Sequence, residues 1–325
     1  MKDNKTITLV EGIKVGHYTH KEHNTGVTVV LMEEGAVGGM DIRGGATAIS
    51  RTGFLLPDSF VPHFHAIALC GGSTFGLGAA DGVIQFLYEK GVGFKTDHGP
   101  IPLVTSAAIY DLDLNTERPL PDKQSGYLAS KNANTDPVEQ GCVGVGTGAT
   151  AGKFFGIKRA MKSGLGSFAM EGAGGLVVGA ITVVNPLGDV LDPKTGKIIA
   201  GVRTRDGSSL LSSRDLLFSE TRIEGFSSQN TVVSLVATNA ILTKPEVTAL
   251  ARMAHAGLPR VIVPAHTMYD GDILFAAATC KLKFPELSII GGIAAEVLAH
   301  AIKNAVLSAE PLVDLPAAGK GIPAP

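Results

Sequence analysis

The strand-forming runs of this 325-residue chain are continuously apolar where a half-exposed sheet would alternate. They are ITLV (7–10), GVTVVLM (26–32), HAIALC (65–70), LVVGAITVVN (176–185), TVVSLVATNA (231–240), PRVIVP (259–264) and DILFAAAT (272–279). A strand that is apolar on both sides must be covered on both sides, by helices or by another sheet. Helical spacing appears between these runs, at 73–90, 244–258 and 289–309. In the last of these, Ile293, Val297, Leu298, Ala301, Ile302 and Ala305 form one apolar stripe. The expectation is a layered α/β architecture. It is read as one intertwined domain over 1–325, because α/β units run well past about 200 residues.

One stretch breaks this pattern. Residues 200–230, AGVRTRDGSSLLSSRDLLFSETRIEGFSSQN, are polar, charged and serine-rich, with short apolar pieces around Leu210 and Leu216. They read as a long excursion or exposed connection, and such loops in compact proteins are functional or disordered. This one delivers the chain to Thr231, where the best-formed strand of the C-terminal third begins.

Charge and composition exclude several classes. With 28 Lys and Arg against 30 Asp and Glu, the chain has a net charge of -2 and no basic patch that points to nucleic acid. The start, MKDNKTITLV, lacks the positively flanked apolar run of a signal peptide. No uninterrupted apolar run approaches the roughly 18 residues of a membrane span. The expectation is a cytoplasmic protein with neither a nucleic-acid nor a membrane partner. Cys70, Cys142 and Cys280 are an odd count without a secretion signal, which argues against a disulfide framework. Their small, apolar neighbours suit buried structural thiols.

Glycine clusters invite a phosphate-binding reading that their spacing rejects. In GCVGVGTGATAGKFFG (141–156), the position six before Lys153 is Thr147 rather than glycine, and Phe154 follows the lysine, so no Walker loop is present. Gly144, Gly146 and Ala149 give only a loose dinucleotide pattern with no clean strand before it. CGGSTFGLGAADG (70–82) follows a strand and opens a helix, with Ser73 a candidate N-cap; it is not the Gly-x-Ser-x-Gly of a nucleophile elbow.

Histidines 17, 20 and 23 in GHYTHKEH have metal-like spacing but lack cysteine or carboxylate company, and read as solvated loop residues. His63 and His65 alternate into a strand. No cofactor or metal is implied. In HTMYDGD (266–272), Asp-Gly is by itself a turn signal, though Asp270 and Asp272 at i and i+2 share one side of an extended segment.

The junction of Asn230 and Thr231 is a plausible scissile bond. Attack of the Thr231 hydroxyl on the Asn230 carbonyl, followed by hydrolysis of the ester, would leave a chain beginning with Thr231. Its free α-amine, with a pKa of about 7.7 to 8.0, could then take the proton of its own hydroxyl. An ordinary structural Asn-Thr pair is the competing reading.

Seven segments together resemble the L-aminopeptidase/D-esterase family of self-processing hydrolases, and within it the nylon-oligomer (6-aminohexanoate oligomer) hydrolase type. They are GHYTHKEHNTGVTVVL, ALCGGSTFGLGAADGV, SAAIYDL, GVGTGATAGK, VVNPLGDVLDP, NTVVSLVATNA and HTMYDGDILFA, spread from about residue 8 to residue 308. The resemblance implies a four-layer αββα sandwich of the aminopeptidase/ornithine acetyltransferase type. It also implies a cut into 1–230 and 231–325, and a homotetramer of cleaved pairs. Asn230, Thr231, Asp270 and Asp272 match the family's cut site and its Asp-Gly-Asp. Tyr110, Lys153 and Asn185 match its further site residues.

On that resemblance Thr231 is the nucleophile, Lys153 a cation beside it, and Asn185 an oxyanion donor. Tyr110 orients substrate or a proton, while Asp270 and Asp272 position the Thr231 amine and hydroxyl. Singly, Asn185 before Pro186 is also a turn starter, Tyr110 a strand aromatic and Lys153 a surface lysine. The implied substrate is a small peptide, amino-acid amide or ω-amino-acid oligomer. Two alternatives stay open: an acyltransferase of the ornithine acetyltransferase type, whose threonine normally follows alanine, and an uncleaved non-catalytic homologue.

Overall fold

The computed structural model describes residues 4–114, 119–224, 230–312 and 314–319. Nine strands build its main framework: β1 (Lys14–His20), β2 (Thr25–Ile42), β3 (Ala48–Ser50), β4 (Phe64–Cys70), β5 (Val104–Ala108), β6 (Leu165–Glu171), β7 (Val177–Asn185), β8 (Thr231–Ala240) and β9 (Ile273–Leu282). The helices are α1 (Ala79–Glu89), α2 (Lys123–Lys131), the short α3 (Ser213–Ser219), α4 (Lys244–His255) and α5 (Leu287–Leu307).

Strand β2 serves two sheets. Its first half pairs antiparallel with β1 and with β4, where Val27 to Leu31 face Cys70 to Ala66; its second half, Val37 to Ile42, pairs with β9. The register breaks between Leu31 and Ala36, where Gly35 sits at φ +84, a backbone state that suits glycine. One sheet therefore runs β1-β2-β4-β5-β3 and the other β6-β7-β8-β9-β2. The neighbours β8 and β9 are parallel, as are β4 and β5.

Three buried clusters define four layers. Between the sheets lie Val30, Ile67 and Leu69 against Ile181, Val183, Val233, Leu235 and Phe275. Outside one sheet, α4 and α5 supply Val247, Leu250, Val297 and Ile302 to a second cluster with Val184, Val232 and Val236. Outside the other, Val83 and Leu87 of α1 and Ala129 of α2 meet Val27, Val29 and Ala68. Alternate residues of β8 thus enter two different cores, which is why its sequence does not alternate. The architecture is an αββα sandwich. By length and composition α5 could cross a membrane, but here it is a core helix, with Lys303 paired to Asp192 and Arg260 to Glu296 on its outer side.

Several expectations need correction. ITLV forms a short 3-10 turn, Ile7–Leu9, whose Ile7 N–H is taken by Ser167 Oγ; it fills the gap between the sheets without a strand partner. PRVIVP contributes only Ile262–Val263, to a small sheet with Asp189–Leu191 and Ile198–Ala200. GHYTHKEH is not a solvated loop. Its first residues belong to β1, and His17 Nδ1 lies 3.0 Å from Thr28 Oγ1, with burial pushing its pKa down to about 4.

Ser73 makes no cap. It starts a 3-10 turn at φ +55, while the buried Asp111 takes the Gly72 N–H at 2.7 Å. Cys142 and Cys280 are half-buried, and only Cys70 is buried. The excursion after residue 200 is largely anchored: Asp189 accepts from Ser213 N, Ser213 Oγ and Val202 N. Its segment 225–229, with the SSQ before Asn230, lies outside the described residues.

Candidate active site

Antiparallel register sets Asn185, the last residue of β7, opposite Thr231, the first of β8. One residue earlier, Asn230 forms a parallel bridge with Asp270 in the segment leading into β9. The Asp-Gly pair is therefore no hairpin turn; it lies beside the Asn230–Thr231 junction because β8 and β9 run parallel.

Each aspartate is held by converging donors. Asp272 accepts from Val232 N at 2.9 Å on one oxygen, and from His266 N at 3.0 Å and His266 Nδ1 at 2.9 Å on the other. Asp270 accepts from Leu187 N, Thr267 N and Thr267 Oγ1. Both carboxyls are buried. Burial, and then the charge of Asp272, push the pKa of Asp270 up to about 6, while its donors pull it down.

Lys153 is a buried cation and not a surface lysine. Its Nζ donates to Asn185 Oδ1 at 2.8 Å, Asn185 O at 2.9 Å, Thr150 O at 3.0 Å and Thr150 Oγ1 at 3.3 Å. Desolvation lowers its pKa from 10.5 to about 7, against the pull of Asp270 and Asp113. The glycine segment acts as its carrier, with Gly152 and Lys153 donating their N–H groups to Gly188 and Leu187 just past β7. The Asn185 amide also donates to the Tyr110 carbonyl at 3.0 Å, and Thr150 N donates to its Oδ1 at 3.0 Å.

At the junction itself, the Thr231 hydroxyl lies 2.5 Å from the Asn230 carbonyl oxygen. The same oxygen accepts the Gly271 N–H at 2.7 Å. A Cβ at position 271 would stand 2.8 Å from Thr231 Oγ1 and 2.7 Å from Ala46 O, so only glycine leaves the hydroxyl room. Position 44 is as tight, since a Cβ there would meet Asp270 O at 2.2 Å.

A model of peptidase family S58 matches residues 5–316 of the chain. The chain belongs to that family. An S58 peptidase is a hydrolase of peptide or amide bonds. The chain is 36% identical over 341 residues to a protein of Mycobacterium bovis described as an uncharacterized aminopeptidase, covering 96% of each. It is 32% identical over 309 residues to a 6-aminohexanoate-oligomer endohydrolase of a Kocuria species, covering 90% of this chain and 84% of that one.

Among solved structures it resembles the L-aminopeptidase D-Ala-esterase/amidase of Ochrobactrum anthropi, described as a variant of the Ntn hydrolase fold. The TM-score is 0.72 at 20% identity, over 98% of this chain and 91% of that one. A β-aminopeptidase of a Burkholderia species gives 0.68 at 22%, over 98% and 90%. These two likenesses bear on the fold.

In this S58 peptidase the structure brings Asn230, Thr231, Asp270, Asp272, Asn185 and Lys153 into one cluster. Tyr110 joins it through its backbone carbonyl. Sequence reasoning missed Gly271, whose N–H meets the Asn230 carbonyl, and the supporting Thr150, Thr267 and His266. All four lie inside motifs already singled out, and no pattern within those motifs distinguishes them. Among the described residues, no group of three His, Cys, Asp or Glu is placed to hold a metal ion.

Proposed function

We propose that this S58 peptidase cuts itself between Asn230 and Thr231 and then hydrolyses small amides through an acyl-enzyme on Thr231. The observation that carries the reading is the Asn230 carbonyl oxygen, met by the Thr231 hydroxyl at 2.5 Å and by the Gly271 N–H at 2.7 Å. Attack of Oγ1 on the carbonyl carbon puts negative charge on that oxygen, where the Gly271 N–H receives it. The C–N bond then breaks, the acyl group passes to Oγ1, and the nitrogen becomes an amine. Water cleaves the ester, leaving the Asn230 carboxylate and a free Thr231.

In the mature enzyme the Thr231 amine takes the hydroxyl proton, Oγ1 attacks the substrate amide, and the leaving amine departs protonated. Water resolves the acyl-enzyme. Asp272, bound to Val232 N–H, lies one peptide from the new amine and favours the geometry of both steps. Lys153 and Asn185 hold the facing strand end. The relatives named for 6-aminohexanoate oligomers support ω-amino-acid oligomers as substrates, and the one described as an aminopeptidase supports small peptides and amino-acid amides. The reading extends to a cytoplasmic homotetramer of cleaved pairs.

The test is a denaturing gel with a substrate screen. Wild type gives fragments 1–230 and 231–325, the second fixed by mass, and Thr231→Ala gives one band and no hydrolysis of amino-acid p-nitroanilides. A Thr231→Ala protein that still cleaves or hydrolyses puts the nucleophile elsewhere.

A further inference from the structure

We infer that His266 is the positioning residue that aims Asp272 in both self-cleavage and hydrolysis. The inference rests on the reading of Thr231 and Asp272 given above. His266 presents two donors to one carboxylate oxygen, its backbone N–H at 3.0 Å and its Nδ1 at 2.9 Å. It does so from a left-handed backbone, φ +58, a state that histidine, like Asn and Asp, enters more readily than most side chains. In that state ring and backbone N–H reach the same oxygen.

The ring is fixed from behind. His255, the last residue of α4, packs edge-on against it, with centroids 4.7 Å apart and planes at 87°. His255 is fully buried, and its Nδ1 lies 2.8 Å from Asp41 Oδ2. Burial, with the neighbouring His266 next, pushes the His255 pKa down to about 4, so this ring is neutral near pH 7. Asp41 is further tied to Arg43 at 2.6 Å. The groups facing His266 are therefore Asp272 and its neighbour Asp270 on its own segment, His255 from α4, and behind it Asp41 of β2 with Arg43 just past that strand.

With a carboxylate facing Nδ1, the proton of a neutral His266 sits on that nitrogen. Asp272 then has an N–H donor on each oxygen and a second on Oδ2. A carboxylate so held keeps one orientation. The other oxygen is left to the Val232 N–H, next to the nucleophile.

Two substitutions separate the ring from the backbone. His266→Gly keeps the left-handed state and the N–H and deletes only the imidazole, while His266→Asn also tolerates that state and returns an N–H donor near Nδ1. The measurements are processing rates on gels, and kcat and KM of the mature enzyme on an amino-acid p-nitroanilide. His266→Gly should lower kcat and the processing rate roughly 10- to 100-fold with KM little changed.

His266→Asn should recover most of the rate. Wild-type rates in His266→Gly, or no recovery in a folded His266→Asn, overturn the inference. Should His266→Gly not fold, His266→Ala takes its place, and wild-type kcat and processing in a folded His266→Ala overturn the inference. Thr231→Ala runs alongside: if it hydrolyses, the nucleophile reading fails, whereas an inert Thr231→Ala beside a normal His266→Gly sinks only the role of His266.

Discussion

Asp272→Asn tests the site most sharply, because an amide cannot do what this carboxylate does. Three N–H donors converge on Asp272, one on Oδ1 and two on Oδ2. An asparagine has one accepting oxygen, so its amide NH2 must face a donor. The better orientation keeps both His266 contacts and turns the NH2 toward the Val232 N–H, which is buried. Leaving that N–H unmatched costs about 1–3 kcal/mol, and exchanging a charged acceptor for a neutral one costs about 1.5–3 kcal/mol more. A loss of about 2.5–6 kcal/mol follows, concentrated one residue from Thr231.

Two assays divide that loss. Denaturant unfolding, in a Thr231→Ala background that keeps the chain whole, reads the part borne by the folded state. The rate at which the 1–230 and 231–325 fragments appear reads the part borne by the reaction, expected to be about 100-fold or more, since about 2.7 kcal/mol is two decades in rate. A folded Asp272→Asn protein that processes within about threefold of wild type would refute the argument that Asp272 acts at the junction.

Gly271→Ala should block processing while leaving the backbone unstrained, because the new methyl would press on Thr231 Oγ1 and Ala46 O; normal fragment yields on a gel would show that the hydroxyl needs no such space. Lys153→Met should flatten the stability rise between pH 7 and 9. The folded pKa of Lys153, about 7, lies below its unfolded 10.5, so the unfolded chain binds the extra proton in this window and stability climbs with pH by about 2 kcal/mol from this group. Unfolding of the uncleavable chain with and without Lys153→Met isolates that slope, and equal slopes would contradict the depressed pKa.

What the sequence disclosed and what it hid have separate physical causes. TVVSLVATNA predicts a strand over 231–240, and β8 has those bounds, because a strand between two cores must be apolar on both faces. β1 escaped notice because an edge strand tolerates His17, Tyr18 and His20, which look like loop residues. The helix α2 hid behind Ser125, Gly126 and Ser130, starting from an Asp122–Ser125 capping box that no apolar periodicity announces. At the site, Thr231, Asp270 and Asp272 stand out only through the resemblance to the family's cut site and its Asp-Gly-Asp; taken singly they read as an ordinary pair and a turn. The register that sets Asn185 against Thr231, and the fold that lays Lys153 on Asn185, join positions far apart in the chain, and spacing alone cannot report that.

The same topology fixes what becomes of the two fragments after a cut. Cleavage before Thr231 would leave β8, β9, α4 and α5 on the smaller piece and the remaining strands on the larger. In the sheet, β8 pairs with β7 on one side and β9 pairs with β2 on the other. The smaller piece is therefore a two-stranded insert bonded at both edges. Its helices α4 and α5 also cover Val184 and Leu176 of the larger piece. Pulling it out would break those two ladders and the pairing of Ile262–Val263 with Asp189–Leu191, and expose both cores of that sheet, so the fragments should elute together from a sizing column without denaturant and separate only in it. Elution of a free 231–325 fragment under native conditions would mean that this shared sheet does not survive the cut.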